Sequence, residues 1–247
     1  MEQITSRKNQ VVTRLRALAA DAAARREAGE FLCDGEKALD EALAAGAGVS
    51  CILWAGEPKR ALPESIEQYS CPLELLQYVS PLKNSPGPVF SVEMLQKSET
   101  GVQNAIVLEN VQDPGNVGTV IRTANAMGVE AVVLVGACAD RYNPKTVRAT
   151  MGAVFRQNVV ETDLAGLKDY INQNHLRLYG AALSKRAADL RSVNVKHAAV
   201  AVGSEGRGLS TELLSMCEGE VIIPMEPCAE SLNAAVAASI ILWEMRR

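Results

Sequence analysis

From Ala105 onward, short apolar runs alternate with helix-length segments, and no other property of the chain limits its fold as strongly. The runs are Ala105–Leu108, Ala131–Val135, Asn158–Glu161, Leu176–Ala181, Ala198–Val202 and Val221–Ile223. Between them lie Val120–Met127, Pro144–Met151, Leu164–Asn172 and Glu212–Cys217, and a helix over Leu232–Met245 follows the last run. Strand–helix alternation with short gaps predicts a parallel sheet covered on both faces by helices. The chain before this region is smaller in scale. A helix is expected over residues 6–28 from the spacing of Val11, Val12, Leu15, Leu18 and Ala19. A strand over Phe31–Cys33 comes next, then a helix over Glu36–Ala45 ended by Gly46, and a strand over Val49–Trp54. A strand–helix set over Leu73–Lys83 and a strand over Val89–Met94 complete it. Lys97-Ser98-Glu99-Thr100-Gly101 is a polar linker. The expected organisation is α/β throughout: a small domain over 1–97, a linker over 98–103 and a parallel-sheet domain over 104–247.

Composition removes several classes of function. Six cysteines are scattered without a C-x-x-C pair, so a zinc site is not expected, and a reduced, cytoplasmic setting is. No uninterrupted apolar run approaches the roughly 20 residues a membrane helix needs. A formal charge of −4 argues only weakly against a nucleic-acid partner, because phosphate binding depends on local basic patches. Two such patches exist. The polar face of the first helix carries Arg7, Lys8, Arg14, Arg16, Arg25 and Arg26, and a second cluster holds Arg141, Lys145, Arg148 and Arg156 with no acid between its ends. Each is either a solvated surface or a phosphate-contacting one.

Three polar segments follow expected strands. In Asn110–Ala124, Asp113-Pro114-Gly115-Asn116 reads as a turn, a helix begins near Val117, and Arg122 lies on that helix. Arg122 either pairs with a structural carboxylate or aims at a substrate phosphate or developing oxyanion. In Val202–Ser210, VGSEGRGLS, three glycines make a tight loop around Glu205, with Ser210 as a helix N-cap. In Val221–Trp243 a strand stops at Pro224, a loop with Met225, Pro227 and Cys228 follows, and Ser231 is a good N-cap type for the last helix. That loop is not a glycine-rich phosphate cradle. It is expected to hold something flat and uncharged through its backbone. No G-x-G-x-x-G and no G-x-x-x-x-G-K-[ST] occurs, and the two histidines, His175 and His197, sit beside no nucleophile.

Taken together, DPGNVGTVIRTANAMG, VGSEGRGLS and IPMEPCAESLNAAVAASIILWE resemble the three motifs of the SpoU/TrmH family of SPOUT RNA methyltransferases. The resemblance covers residues 104–247, and residues 1–97 resemble, less specifically, the family's RNA-recognition domain with its ribosomal-protein-like fold. It implies a deep trefoil knot in the C-terminal domain, a homodimer with the site near the subunit interface, and S-adenosylmethionine as methyl donor without a metal. It implies that Gly203, Ile223, Met225 and Leu232 bind the donor, and that Asn116, Arg122, Glu205, Ser231 and Asn233 form the catalytic pocket. Arg7, Lys8, Arg14, Arg141, Lys145 and Arg148 would contact RNA. One departure is Thr150-Met151-Gly152-Ala153, where the family has a serine-alanine-glycine-alanine run. The expected reaction is methyl transfer to a ribose 2'-hydroxyl, in ribosomal RNA in preference to tRNA. Arginine is always protonated in proteins, so Arg122 would hold a phosphate and stabilise the forming alkoxide, with Glu205 or the phosphate taking the proton. A non-catalytic RNA-binding protein is the main alternative, and Asn116, Arg122, Glu205 and Asn233 all being present argues against it. A nucleotide-dependent oxidoreductase lacks its fingerprint glycines.

Overall fold

The computed structural model describes every residue except Met1, Lys59, Gln96, Lys97, Glu99, Pro227 and Ala229. Its secondary-structure elements fall into two compact units. One comprises Met1–Gln96 with Tyr142–Phe155, the other Lys97–Arg141 with Arg156–Arg247. Lys97 and Glu99 of the expected linker, and Pro227 of the last loop, lie outside the described residues.

The first unit contains β1 (Glu2–Gln3), α1 (Gln10–Ala20), α2 (Ala22–Ala28), β2 (Glu30–Asp34), α3 (Glu36–Ala44), β3 (Val49–Ala55), β4 (Glu67–Cys71), α4 (Leu73–Val79) and β5 (Val89–Glu93). Among the described residues the strands form one sheet in the order β1-β4-β3-β5-β2. β1, β4 and β3 are parallel, whereas β5 is antiparallel to both β3 and β2. Successive strand residues point to opposite faces, and the core divides accordingly. Leu32, Cys51 and Leu53 pack with Val12, Leu15 and Leu18 of α1 and Leu75 and Leu76 of α4. Phe31, Ile52 and Trp54 face the other way, with Leu39 of α3 and Tyr142, Val147 and Phe155.

The segment Tyr142–Phe155 therefore belongs by packing to the first unit, although the strand–helix alternation places it in the second domain. Aromatic stacking fixes it there: the Phe31 and Tyr142 rings lie 4.4 Å apart at 27°. The single helix expected over 6–28 is also broken. At Asp21 the backbone is extended, and its carboxylate accepts from Ala23 N to start α2. Asp21 acts as an N-cap there, which stops one helix and begins the next.

The second unit contains β6 (Ala105–Glu109), α5 (Pro114–Met127), β7 (Ala131–Val135), β8 (Asn158–Thr162), α7 (Leu164–Gln173), β9 (Arg177–Ala181), β10 (Ala188–Asp189), β11 (Ala198–Gly203), α8 (Thr211–Met216), β12 (Gly219–Ile222) and α9 (Ala234–Arg246); α6 (Pro144–Thr150) precedes β8 in the chain but packs in the first unit. Its sheet runs β10-β12-β9-β11-β6-β7-β8 among the described residues, and every pairing is parallel. Ala105, Val107, Val133 and Ala201 face α7 and α8 through Leu167, Ile171 and Leu213. The chain steps outward from β6 to β7 and β8, then crosses to the other side of β6 as β9, and β11 later inserts between β9 and β6. The strand order reverses between β6 and β11. In open parallel sheets the crevice beyond the carboxyl ends of such a pair is where ligands bind. No described helix is long and apolar enough to cross a membrane, and among the described residues no group of three or more His, Cys, Asp or Glu is placed to hold a metal ion.

Candidate active site

At the reversal point, β6 ends in Glu109 and β11 in Gly203, and the two residues are register partners. Glu109 is buried, and its carboxylate accepts from Ser210 N at 2.7 Å and Ser210 Oγ at 2.6 Å. Ser210 Oγ in turn accepts from Leu213 N, capping α8. These bonds close the loop Ser204–Leu209. Gly208 N donates to Ser204 O at 2.8 Å, with Gly208 in the left-handed region. A Cβ on Gly203 would stand 2.1 Å from the Gly208 carbonyl carbon and 2.4 Å from Leu209 N. Only glycine permits that approach.

The loop so fixed carries Glu205 to two helix N-termini. Asn116, in the first turn of α5, donates through Nδ2 to Glu205 Oε1. Asn233 Nδ2 donates to Asn116 Oδ1 at 3.1 Å and to Glu205 Oε1 at 3.4 Å, and Ala234 N reaches the same oxygen at 3.4 Å. Residues 116, 205 and 233 are far apart in sequence and make one hydrogen-bonded cluster. A carboxylate beside helix N-termini is favoured by the orphan amides and the macrodipole. Glu205 Oε2 accepts from no described residue, so the cluster offers one committed oxygen and one open acceptor.

Two local details differ from the expected ones. Helix α5 starts at Pro114, not near Val117: Asp113 is its N-cap, accepting from Asn116 N at 2.8 Å, and Pro114 occupies the first turn. Proline suits that position because its missing N–H would have no helical partner. Helix α9 starts at Ala234, and its cap is Asn233, whose Oδ1 accepts from Ala235 N at 2.9 Å and Val236 N at 3.2 Å. Ser231 is not the cap. It lies exposed in the segment before the helix. Asn233 thus uses its carbonyl for the helix and its amide for Glu205.

The remaining expected residues are placed as follows. Arg122 is exposed on α5, roughly 120° around the helix from Asn116 at 3.6 residues per turn, and no described residue takes its guanidinium. Ile223 and Met225 follow β12 directly and Leu232 lies two residues before α9; all three are half-buried. The main-chain groups of Met225 and Leu232 make no hydrogen bond to another described residue. The side chains of all three are apolar, and the main-chain groups of Met225 and Leu232 remain available to a ligand.

The basic residues divide. Arg7, Lys8, Lys145 and Arg148 are exposed. Arg14 is instead bound to Glu30 at 3.0 Å, and Arg141 is buried, with Nη1 on the Val159 carbonyl and Nε 3.4 Å from Glu161. Arg141 anchors β8, so its charge is spent inside the second unit. A run of basic residues in sequence carries no sign of which one is buried.

On the face of α5 that continues from Asn116, Thr119, Thr123 and Met127 run alongside α9, forming a groove of about 520 Å³ with Asn233 at its end. Val236, Ile240 and Trp243 line it at helical spacing and are 48%, 39% and 62% exposed. The polar cluster and an apolar stripe are therefore contiguous. Glu109 was not singled out by its residue type in the sequence. The available signal was an acid closing the otherwise apolar run AIVLE.

The geometry has counterparts among known proteins. The model of the SpoU rRNA Methylase family matches residues 103–243. RlmP of Bacillus subtilis (strain 168), a 23S rRNA (guanosine(2553)-2'-O)-methyltransferase, is 33% identical over 248 residues, covering 100% of both chains. The crystal structure of an AdoMet-bound rRNA methyltransferase from Sinorhizobium meliloti matches with a TM-score of 0.88 at 26% identity, over 100% of this chain and 97% of that one. The SpoU methyltransferase AviRb from Streptomyces viridochromogenes, in complex with AdoMet, matches with a TM-score of 0.84 at 27% identity, over 97% and 98%. A family match over more than half the chain, with a full-length relative at this identity, shows that the protein belongs to the SpoU rRNA methylase family.

Proposed function

We propose that this protein methylates a ribose 2'-hydroxyl in large-subunit ribosomal RNA, using S-adenosylmethionine. The observation that carries the proposal is the convergence of Asn116, Glu205 and Asn233 at the strand-order reversal. A relative matching along its whole length is named for the same chemistry on 23S rRNA. Bound S-adenosylmethionine supplies an electrophilic methyl group on a sulfonium. The chain's residues have to orient the ribose hydroxyl, exclude water and receive one proton. Gly203, Ile223, Met225 and Leu232 hold the donor, chiefly through main-chain groups. Glu205 Oε2 is the open acceptor for the hydroxyl proton, with Asn116 and Asn233 fixing the carboxylate. Ser231 lies close in sequence to Asn233 and contributes a hydroxyl to the same pocket. Arg122, being exposed and uncommitted, holds the adjacent RNA phosphate and the developing negative charge.

The same proposal includes a homodimer and a trefoil knot. A second copy covers the apolar α5–α9 groove, which explains why Val236, Ile240 and Trp243 are exposed, and brings the subunit interface to Asn116 and Asn233. Large contiguous apolar patches on a surface mark interaction sites. The return of the chain through β12 to α9, packed on α5, is the part that would be threaded. The first unit recognises the RNA, and the setting is cytoplasmic.

The test is methyl transfer from labelled S-adenosylmethionine to 23S rRNA and tRNA transcripts, with digestion to nucleosides. Label in a 2'-O-methylnucleoside of 23S rRNA is expected, and label in a base or in tRNA alone would contradict the proposal. Arg122→Lys, which keeps the charge but loses the bidentate guanidinium fork, is expected to lower turnover about a hundredfold, with S-adenosylmethionine binding by calorimetry unchanged.

A further inference from the structure

In the first unit the carboxyl ends of three parallel strands, β1, β3 and β4, open into a groove of about 790 Å³. Its lining includes Gln3, Gln77 and Asn84, which are exposed and whose side-chain amides bond to no other described residue. Leu73, 49% exposed, supplies an apolar wall, and Glu57 is the only acid among the described lining residues. Asn84 is presented by a pinned loop. Ser85 Oγ donates to Asp34 Oδ1 at 2.5 Å, and Ser80 Oγ donates to the other oxygen of Asp34.

Two arginines are gathered on Tyr78, the residue that follows the lining residue Gln77 on α4. Gln3 precedes Arg7 by four residues. The Arg7 and Arg16 guanidiniums lie 4.5 and 4.1 Å from the Tyr78 ring centroid, and Arg16 also donates to the Tyr78 carbonyl. An arginine stacked on an aromatic ring loses little further freedom when its edge meets a phosphate. Side-chain amides carry both a donor and an acceptor, which is what the edge of an unpaired base requires. Phosphate contacts position a nucleic acid, and base-edge contacts specify it.

We propose that this groove holds an unpaired stretch of the RNA substrate, with Arg7 and Arg16, braced by Tyr78, on its phosphates and Gln3, Gln77 and Asn84 on a base edge. The assignment rests on the proposed RNA methyltransferase activity for its ligand class, and it replaces Arg14 and Arg141 as RNA contacts.

The test uses the full-length protein and two readouts. The first is equilibrium binding of a short fluorescein-labelled single-stranded RNA of mixed sequence at several salt concentrations. Arg7→Ala with Arg16→Ala should raise Kd about tenfold and lower the slope of log K against log salt by about 1.4, or about 0.7 for each lost phosphate contact. Tyr78→Leu should weaken binding, and Tyr78→Phe, which keeps the ring, should restore it. A charge-matched control, Arg26→Ala with Lys168→Ala, should bind as wild type. The second readout is steady-state methylation of 23S rRNA. Gln77→Ala with Asn84→Ala should raise KM for 23S rRNA more than it raises Kd for the mixed-sequence strand, with kcat nearly unchanged. Wild-type Kd and salt slope in the double arginine variant, with an unchanged melting temperature, would overturn the groove. The two ideas separate cleanly. If wild-type protein binds RNA through these residues but transfers no methyl group to ribose, the enzymatic proposal fails and the groove stands. If methylation proceeds and KM is unaffected by all four substitutions, the groove fails and the enzyme stands.

Discussion

Asn233 joins two requirements in one side chain: its carbonyl oxygen caps α9 and its amide donates to Asn116 and Glu205. Two substitutions separate them. Asn233→Ala removes both, and should cost about 1 kcal/mol of stability from the lost cap together with most of the turnover. Asn233→Asp keeps a capping oxygen but sets a second carboxylate against Glu205, so melting should stay near wild type while methyl transfer falls. Equal melting and equal turnover in both variants would remove Asn233 from the site. Glu109 acts one step further back, through Ser210. Glu109→Gln keeps one oxygen for the Ser210 amide but sets an NH2 against Ser210 Oγ, whose proton then loses its acceptor, at a cost of about 1–3 kcal/mol. Urea unfolding should show that loss, and calorimetry should show weaker S-adenosylmethionine binding as the Glu205 loop loosens. The resemblance to the family motifs pointed to Asn116, Glu205 and Asn233 beforehand; by residue type and loop position alone only Glu205 stood out, as an acceptor. The Glu109 role was hidden, since one acid at a strand end looks the same whether it is solvated or buried.

At the scale of elements, most strands and helices were legible from hydrophobic runs, to within a residue or two. The strand of the set expected over Leu73–Lys83 lies earlier, as β4 (Glu67–Cys71), and that stretch holds only the helix α4; two other misplaced boundaries share a cause. DPGN is good turn chemistry and equally good helix-start chemistry, and only the Asp113 bond to Asn116 N decides for the helix. Asp21 lies in an alanine-rich stretch whose pattern continues on both sides, so the break it makes by capping α2 left no trace in the periodicity. Helix α9 carries a prediction at this scale. Its Val236, Ile240 and Trp243 are exposed along one stripe, and a second copy is the proposed cover. Trp243→Glu should shift sedimentation at micromolar concentration from dimer to monomer, with the helix content unchanged by circular dichroism. A wild-type protein that sediments as a monomer would rule that cover out.

On the scale of the whole molecule, the alternation of runs from Ala105 correctly gave a parallel sheet, and the reversal of strand order between β6 and β11 put the polar cluster where such sheets bind ligands. What the alternation could not convey is that Tyr142–Phe155 leaves the second unit and packs in the first. That choice depends on the Phe31–Tyr142 stack, a contact between residues far apart in sequence with no local signature. Methylation of one ribose in ribosomal RNA can be read by mapping 2'-O-methyl groups across 23S rRNA from cells with and without the gene. One methylated ribose should be lost on deletion, return with the wild-type gene, and stay absent with a Glu205→Gln, Asn233→Ala copy. Identical 2'-O-methylation maps in the two strains would mean that the protein does not modify 23S rRNA ribose.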